Sequence, residues 1–175
     1  MINGLGLQLS RRRRAAWIAF TNFRDVFYDA KATLSVKAEL FNSTVLPLLL
    51  DGCETWNTTL AEEIKLAKTQ LAMERRMVDV SRQQHIRNEG LRSRSGVKYV
   101  VEKKYKRKQG CAGHLARMKN NRWTKRIAEW NPRDARRPSG RPPTRREGPL
   151  RRLYGAAWMR LAQDHERRKI CQLHR

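Results

Sequence analysis

Long apolar segments are absent from this sequence. No uninterrupted hydrophobic run reaches the roughly 18 residues that a membrane-spanning helix needs, and no lipidation signal is found. The stretch Met1–Ser10 is too short and too weakly apolar to be a signal peptide. We therefore expect no membrane partner.

Cysteine is scarce as well. Three cysteines at wide spacing argue against a disulfide scaffold and fit a reducing compartment. Two Cys-x2-His pairs could together hold a tetrahedral zinc ion. Because both pairs lie inside or at the end of predicted helices and far apart in the sequence, we expect no zinc site. The residues concerned are the lone Cys53 and the pairs Cys111 with His114 and Cys171 with His174.

Clustered carboxylates and glycine-rich loops are missing too. Two-metal phosphoryl transfer needs carboxylates close together, but the aspartates of this chain are never adjacent. Asp25 and Asp29 share one predicted helix face, where solvation is the better interpretation. No Gly-rich phosphate loop precedes a Lys-Ser or Lys-Thr pair. We expect no catalytic residue, no cofactor and no small-molecule substrate, so the chain by itself should not be an enzyme.

Basic residues are what the chain has in excess. It contains 39 Lys and Arg against 16 Asp and Glu, a formal net charge of +23 in 175 residues. Such an excess indicates a polyanionic partner, since basic side chains displace condensed counterions from phosphates. An anionic membrane surface is the competing interpretation.

The excess charge is unevenly distributed. Residues 1–90 hold 13 basic and 10 acidic side chains, a net of +3, whereas residues 91–175 hold 26 and 6, a net of +20. We therefore predict two regions, a helical scaffold over 1–90 and a basic nucleic-acid-binding tail over 91–175.

Apolar periodicity predicts an all-α fold, and no alternating pattern typical of a strand is present. We predict loosely packed helices with a Pro- and Arg-rich extended linker at about 131–149 before a C-terminal helix, because five of the six prolines lie there. Asn88-Glu89-Gly90 and Ser93–Gly96 are predicted to be breaks. The predicted helices cover residues 11–28, 34–50, 60–78, 97–118 and 150–170, with a short segment at 123–130.

Three of these helices carry apolar stripes that predict a buried face. Pro47 should kink its helix or start a new turn, Asp51-Gly52 is a turn signal, and Thr58 or Thr59 can cap the helix that follows. In the helix over 97–118, lysine and arginine should fill the face opposite the stripe. The stripes are Val36, Leu40, Thr44 and Leu48, with Phe41 and Val45 beside them; Leu60, Ile64, Ala67, Leu71 and Val78, with Met73 and Met77 adding apolar width; and Val97, Val101, Tyr105, Ala112 and Leu115.

The sharpest local signal is the run Arg136–Arg146, which includes Gly-Arg-Pro-Pro. Such a segment is stiff and extended, so its guanidinium groups project outward and can grip phosphate as bidentate forks. A polyproline ligand for an SH3-type domain is the alternative. Trp123, Trp130 and Trp158 could stack on bases, but core packing is the favoured interpretation.

Several stretches, taken in order, resemble the segment that follows the polymerase domain in endonuclease/reverse transcriptases of non-LTR (LINE-type) retrotransposons. They are Arg-Arg-Ala-Ala-Trp at 13–17, Lys-Ala-Glu-Leu-Phe-Asn-Ser-Thr-Val-Leu-Pro at 37–47, Asp-Gly-Cys-Glu-Thr-Trp at 51–56, Met-Glu-Arg-Arg-Met at 73–77, Ala-Gly-His-Leu-Ala-Arg-Met at 112–118, Asn-Arg-Trp at 121–123, Trp-Asn-Pro-Arg at 130–133 and Gly-Arg-Pro-Pro-Thr-Arg at 140–145. Members of that group commonly have other residues where this chain has Asp51, Cys111 and Arg146-Glu147, and these departures indicate a decayed or truncated copy.

The resemblance implies a thumb-like region up to about residue 90, followed by a nucleic-acid-binding tail. It implies a fragment of an RNA-directed DNA polymerase without its catalytic palm and endonuclease, acting on element RNA, target DNA or their hybrid, in the nucleus or in the cytoplasm bound to RNA. A basic interaction protein or a decayed pseudogene product is the alternative. The nucleic-acid-binding residues that we predict are Arg11, Arg12, Arg13, Arg14, His114, Arg117, Arg122, Arg136, Arg137, Arg141, Arg145 and Arg146.

Overall fold

The computed structural model describes residues 5–118 and 123–129, together with positions 148, 151, 155, 158 and 160. No strand occurs among these residues, and the prediction of an all-α fold is confirmed. The helices are α1 (Leu5–Asn22), α2 (Arg24–Tyr28), α3 (Leu34–Leu40), a π-helical turn (Phe41–Val45), α4 (Leu46–Leu49), α5 (Leu60–Met77), a 3-10 turn (Arg82–Gln84), α6 (Asn88–Ser95), α7 (Val100–Arg117) and α8 (Trp123–Glu129).

The chain forms two compact units. The first consists of residues up to Cys53 together with Thr58–Lys104, and the second of Glu54–Asn57 together with the residues from Tyr105 onward. These units are defined by packing, whereas the division predicted at residue 90 was drawn from charge. That division therefore stays a prediction about function.

An aromatic cluster forms the centre of the first unit. The rings of Phe20 and Phe27 are stacked with centroids 4.5 Å apart, and the Phe41 ring lies edge-on at 6.4 Å from each of them. All three side chains are buried. Because aromatic pairs gain from geometry as well as from buried area, this cluster fixes α1, α2 and the π-helical turn against one another.

The first helix differs from its prediction at both ends. It begins at Leu5 rather than at Arg11, because Leu9 lies on the same buried face as Ala16 and Phe20 and extends the packed stripe toward the N-terminus. It ends at Asn22 instead of continuing to residue 28. The chain breaks at Phe23, and the separate short helix α2 follows. Phe27 on α2 stacks against Phe20.

The buried face of the second predicted helix is displaced by one residue. Lys37, Phe41, Val45 and Leu49 are buried, while Val36 and Leu48 of the predicted stripe are exposed. The aromatic cluster selects Phe41, and the other buried positions follow from it at four-residue steps. Pro47 lies at the start of α4, directly after the π-helical turn, which confirms that it starts a new turn.

Thr59 caps α5 as the sequence indicated, and Gly52 lies in the expected turn with φ of 73°. The Thr59 side chain accepts a hydrogen bond from the Glu62 amide, while the Glu62 carboxylate accepts one from the Thr59 amide at 2.7 Å. This capping box satisfies two backbone donors that the helix itself leaves unpaired. It therefore fixes the first residue of α5 through local chemistry alone.

The predicted buried stripe of α5 is wrong at its first two positions. Leu60 and Ile64 are exposed, whereas Leu71, Met73 and Met77 are buried as predicted, together with Leu66. Two polar side chains, Gln70 and Glu74, are buried on that same face. Apolar spacing could not predict that these two polar side chains are buried, because burial of polar groups depends on hydrogen-bond partners elsewhere in the chain.

Helix α6 lies where breaks were predicted, so that prediction is wrong. A single apolar residue, Leu91, is fully buried and anchors the helix, with Ser95 buried beside it. One apolar residue in eight gives no detectable period, which is why the helix escaped sequence analysis. Gly96 ends it in the left-handed conformation, with φ of 66°, that glycine adopts without strain.

Helix α7 lies inside the predicted range, and Ala112 and Leu115 are buried as expected. Lys104 and Lys108, however, are each only 2% exposed, so lysines are not confined to its solvent face. Of the predicted linker, only Gly148 is among the described residues. In the predicted helix over 150–170, Gly155 has φ of 70°, which interrupts a continuous helix at that point.

Candidate nucleic-acid interface

The four arginines of α1 divide into two pairs. Arg11 and Arg14, three positions apart on one face of the helix, are exposed. Arg12 and Arg13 are only partly exposed. Arg12 Nη1 lies 2.5 Å from Asp51 Oδ2, and Arg13 Nε donates a hydrogen bond to Thr69 Oγ1 at 2.7 Å.

This division changes what each arginine can do. Arg12 links α1 to the turn after α4, and Arg13 links α1 to α5, so both contribute to packing. Arg11 and Arg14 present their guanidinium groups outward, where a phosphate can reach them. The assignment of all four to nucleic acid stays a prediction, and the geometry favours Arg11 and Arg14.

Two of the remaining predicted binding residues, His114 and Arg117, belong to the second unit. His114 and Arg117 lie three positions apart in the last turns of α7, and both are exposed. They therefore share one face of that helix. Six predicted residues lie outside the described part of the chain: Arg122, Arg136, Arg137, Arg141, Arg145 and Arg146.

Sequence analysis missed a basic groove in the first unit, which we call the α5–α6 groove. It runs between the C-terminal half of α5 and the start of α6, along residues 79–87 of the connection. It consists of two adjoining pockets of about 840 and about 390 Å³, which share Arg75, Ser81 and Arg82 as lining residues. Concavity and clustered charge together make it a candidate interface for an anion.

The backbone at the end of α5 shapes this groove. Val78 N–H bonds to Glu74 C=O at 3.0 Å, and Val80 N–H reaches back to Arg75 C=O at 2.9 Å. Asp79 between them is left-handed, with φ of 54°. This is a Schellman-type helix end, in which the chain reverses sharply and the last carbonyls are satisfied. The reversal brings the 3-10 turn at Arg82–Gln84 beside α5.

Positive charge dominates the groove. Lys68, Arg75, Arg82 and Arg87 line its larger pocket, where the one acidic lining residue is Glu89. Arg75 Nη2 donates to Asn88 Oδ1 at 3.1 Å, which ties the side chain of α5 to the first residue of α6.

The smaller pocket is lined by Arg76 and Asp79 in addition to the shared residues. The Arg76 guanidinium lies 4.8 Å from the centre of the Trp17 ring on α1, a cation–π contact. Such a contact holds the guanidinium over the ring and limits its rotamers. Arg76 is therefore positioned before any ligand arrives, although Asp79 partly offsets its charge.

A count of net charge over shorter segments of the sequence would have indicated the region of this groove. Residues 1–64 contain seven basic and seven acidic side chains, so the whole net charge of +3 in residues 1–90 comes from 65–90. The acidic residues of the first 64 positions concealed the local excess. Because Glu74 is buried, its carboxyl group does not offset that excess at the surface.

Two buried ionisable groups lie inside the first unit. Burial raises the pKa of the Glu74 carboxyl, although a hydrogen bond from Ser95 Oγ at 3.0 Å and the charge of Arg92 oppose that shift. Burial lowers the pKa of the Lys104 ammonium, while its ion pair with Glu63 opposes the shift. Both groups are buried, so neither adds to the charge at the surface.

Trp123 corrects the core interpretation of the tryptophans. Its side chain is 75% exposed, and the Arg126 guanidinium lies 5.7 Å from its ring centre. Trp158 is buried, as predicted, and Trp130 lies outside the described residues. An exposed indole beside an arginine suits base stacking, so Trp123 joins the candidate binding residues of the second unit.

Within the described ranges, no group of three or more His, Cys, Asp or Glu side chains could hold a metal ion. No helix in that part of the chain is both long enough and apolar enough to cross a membrane.

Comparison with known proteins gives one informative relative. No protein-family model matches the chain, and no solved structure matches it. The chain is 37% identical over 156 residues to an uncharacterized transposon-derived protein of Caenorhabditis elegans. The alignment covers 86% of this chain but 55% of the relative, so the chain spans about half the length of the curated relative that it matches. Over most of its length, the chain is therefore similar to a transposon-derived protein.

Proposed function

We propose that this chain binds nucleic acid through its phosphates, as a C-terminal segment of a non-LTR retrotransposon reverse transcriptase. The observation that carries the proposal is the larger pocket of the α5–α6 groove, where four Lys and Arg side chains line one concave surface and Glu89 is the single acidic residue described there. The exposed Arg11 and Arg14 on α1 add a second basic surface in the same unit.

The chemistry of these surfaces fits phosphate. Guanidinium groups present a rigid fork of donors that matches two phosphate oxygens, and lysine adds a mobile point charge. Contacts of this kind fix the position of the nucleic acid but carry little sequence information. Binding should therefore be strong at low salt and weakly selective for sequence.

Similarity to a transposon-derived protein, together with the resemblance to the segment after a retrotransposon polymerase domain, supports element RNA, target DNA or their hybrid as the partner. A segment in that position would hold the template and primer while chemistry occurs elsewhere. We propose that the chain works in the nucleus, or in the cytoplasm bound to RNA. We also propose that it neither polymerises nor cuts by itself.

The test is a salt titration of binding. The full chain is mixed with labelled RNA, single-stranded DNA and duplex DNA, and affinity is measured by fluorescence anisotropy from about 50 to 200 mM salt. If about 6–10 phosphates are contacted, duplex affinity should fall by roughly 10³–10⁵ over that range. The slope of log affinity against log salt concentration, called the salt slope below, measures the number of phosphate contacts. This slope should be flatter in a variant in which Ala replaces Arg136, Arg137, Arg141, Arg145 and Arg146.

A variant with Arg24→Ala and Lys31→Ala is the control for loss of basic side chains outside the predicted binding surfaces. Both residues are exposed, and neither lines the α5–α6 groove. It should keep a salt slope close to that of the unaltered chain. Absence of salt-dependent binding to all three ligands would contradict the proposed function. An unchanged slope in the five-arginine variant would contradict the assignment to the tail.

A further inference from the structure

The α5–α6 groove is lined by apolar side chains as well as by cations. Leu71, which is 8% exposed, and Ile86, which is half-buried, line the larger pocket together with the cations, so Ile86 is the main apolar side chain open to a ligand. Apolar lining contributes nothing to a phosphate contact, but it does favour the flat face of a nucleobase. The groove therefore offers two kinds of surface within one volume of about 840 Å³.

A histidine ring lies beside that apolar lining. His85 follows the 3-10 turn, its side chain is exposed, and its backbone is left-handed with φ of 48°. Few residues other than glycine adopt this conformation, and a hydrogen bond from the His85 amide to Arg82 C=O supports it here. Histidine rings and guanidinium planes are both common stacking partners for unpaired bases.

Three of the cations in the groove are unneutralised. Lys68, Arg82 and Arg87 form no ion pair with any residue that the structure describes. They come from three successive elements: α5, the 3-10 turn and the connection to α6. Their charges are therefore spread along the groove and can follow a chain of phosphates.

Building on the proposed nucleic-acid binding, we propose that the α5–α6 groove holds a short single-stranded stretch of nucleic acid. Its phosphates contact Lys68, Arg82 and Arg87, and one base packs on His85 and Ile86. A duplex presents its phosphates on a convex surface and keeps its base faces stacked inside, so it cannot use the apolar lining. Every base has a flat π face, so this site accepts single strands of any sequence, RNA or DNA.

The test compares single strands with a blunt duplex on the full chain. The probes are labelled oligo-uridine and oligo-thymidine of about 12 nucleotides, within the range of known single-strand sites, and a blunt DNA duplex. The groove variant is Lys68→Glu with Arg82→Glu, and the matched control is Arg24→Glu with Lys31→Glu. All four positions are exposed, and both variants change the net charge equally.

We expect the groove variant to lose at least about tenfold more single-strand affinity than the control, and both variants to lose duplex affinity equally. Separately, His85→Ala should weaken single-strand binding about tenfold without changing the salt slope, whereas His85→Phe should preserve it because stacking needs only a ring. Oligo-uridine and oligo-thymidine should respond alike, and circular dichroism verifies that each variant is folded.

Three results would overturn the inference. The groove and control variants could lose equal affinity for single strands, the groove variant could lose as much for duplex as for single strands, or His85→Ala could bind like the unaltered chain. In each case salt-dependent binding by the unaltered chain leaves the proposed function intact. Absence of binding by the unaltered chain to every probe would contradict both.

Discussion

Gln70 on α5 caps the start of α7 by accepting a hydrogen bond from the amide of Val100 at 2.7 Å. The other end of the same side chain donates to Lys98 C=O at 2.9 Å. Gln70 is 1% exposed and Val100 is fully buried, so water cannot replace the contact between them, whereas the bond from Gln70 to the exposed Lys98 is only partly buried. A single side-chain amide thus satisfies a backbone donor and a backbone acceptor 30 and 28 residues away.

Replacing Gln70 by Leu should destabilise the chain by about 2–4 kcal/mol. The substitution keeps the approximate volume but leaves the buried Val100 amide unpaired, at about 1–3 kcal/mol, and removes the partly buried bond to Lys98 C=O, at about 0.5–1.5 kcal/mol. The free energy of unfolding from denaturant titration gives the measurement. Gln83→Leu is the matched control, because Gln83 is exposed in the 3-10 turn and should change stability by less than about 0.5 kcal/mol. Equal stability of the two variants would contradict the capping role.

Lys104→Met should destabilise the chain by about 3–5 kcal/mol. The Lys104 side chain is 3% exposed and pairs with Glu63, which is 15% exposed, and it also donates to Thr58 Oγ1 at 2.7 Å. Removing one charge breaks a buried ion pair, which costs more than the pair itself gains.

Changing both partners should recover most of that loss. Lys104→Met with Glu63→Met removes both charges of the pair, so the double variant should be more stable than Lys104→Met alone. The coupling energy from the double-mutant cycle isolates the pair. Lys65→Met, at an exposed position on α5, controls for the loss of a lysine. A double variant no more stable than the single one would show that the pair does not act through its charges.

Glu74→Gln should change how stability depends on pH. Burial raises the pKa of the folded-state carboxyl above its ordinary value of 4.5, so the folded chain binds this proton more tightly than the unfolded chain. The resulting stabilisation is complete below that ordinary value and is lost as pH rises through the raised pKa. Ionised Glu74 then remains buried at a cost, with Oε1 lacking a hydrogen-bond partner.

The measurement is the difference in unfolding free energy between the Glu74→Gln variant and the unaltered chain at several pH values from about 4 to 8. Subtraction removes the contribution of the other titrating groups. The difference should shift in favour of the variant as pH rises, because glutamine carries no charge to bury. A difference that stays constant across the range would refute the raised pKa as a source of pH-dependent stability.

The arginines of α1 should separate binding from folding. Arg11→Ala with Arg14→Ala should reduce nucleic-acid affinity with little change in stability. It should also reduce the magnitude of the salt slope by the amount expected for roughly 2 phosphate contacts, about 0.9 each on duplex DNA. Arg12→Ala with Arg13→Ala should lower stability by about 1–2 kcal/mol, since it removes a partly exposed ion pair and a hydrogen bond. Anisotropy and denaturant titration of both variants test this. Identical effects of the two double variants on stability would contradict the distinction between packing arginines and surface arginines on α1.

Local sequence chemistry determined much of the fold. The Thr59–Glu62 capping box, the left-handed Gly52 turn and the new turn at Pro47 all depend on residues within a few positions of one another. Such signals are complete in the sequence, because both partners of each interaction are neighbours along the chain. The all-α class follows from the same kind of information.

Which face of each helix is buried depended on partners distant in the sequence. The rings of Phe20 and Phe27 pack against Phe41 rather than Leu40. Gln70 is buried because the Lys98 carbonyl accepts a hydrogen bond from its side chain and the Val100 amide donates one to it. A pattern of apolar spacing holds no information about such partners.

The α5–α6 groove shows the same limit at the level of function. Its cations are visible in the sequence as a local excess within residues 65–90, and the total charge indicated a polyanion. Only the reversal at Asp79 and the short helix α6 bring Lys68, Arg82 and Arg87 to one concave surface. Charge is a property of composition and can be counted, whereas a concave surface exists only after the backbone has turned back on itself.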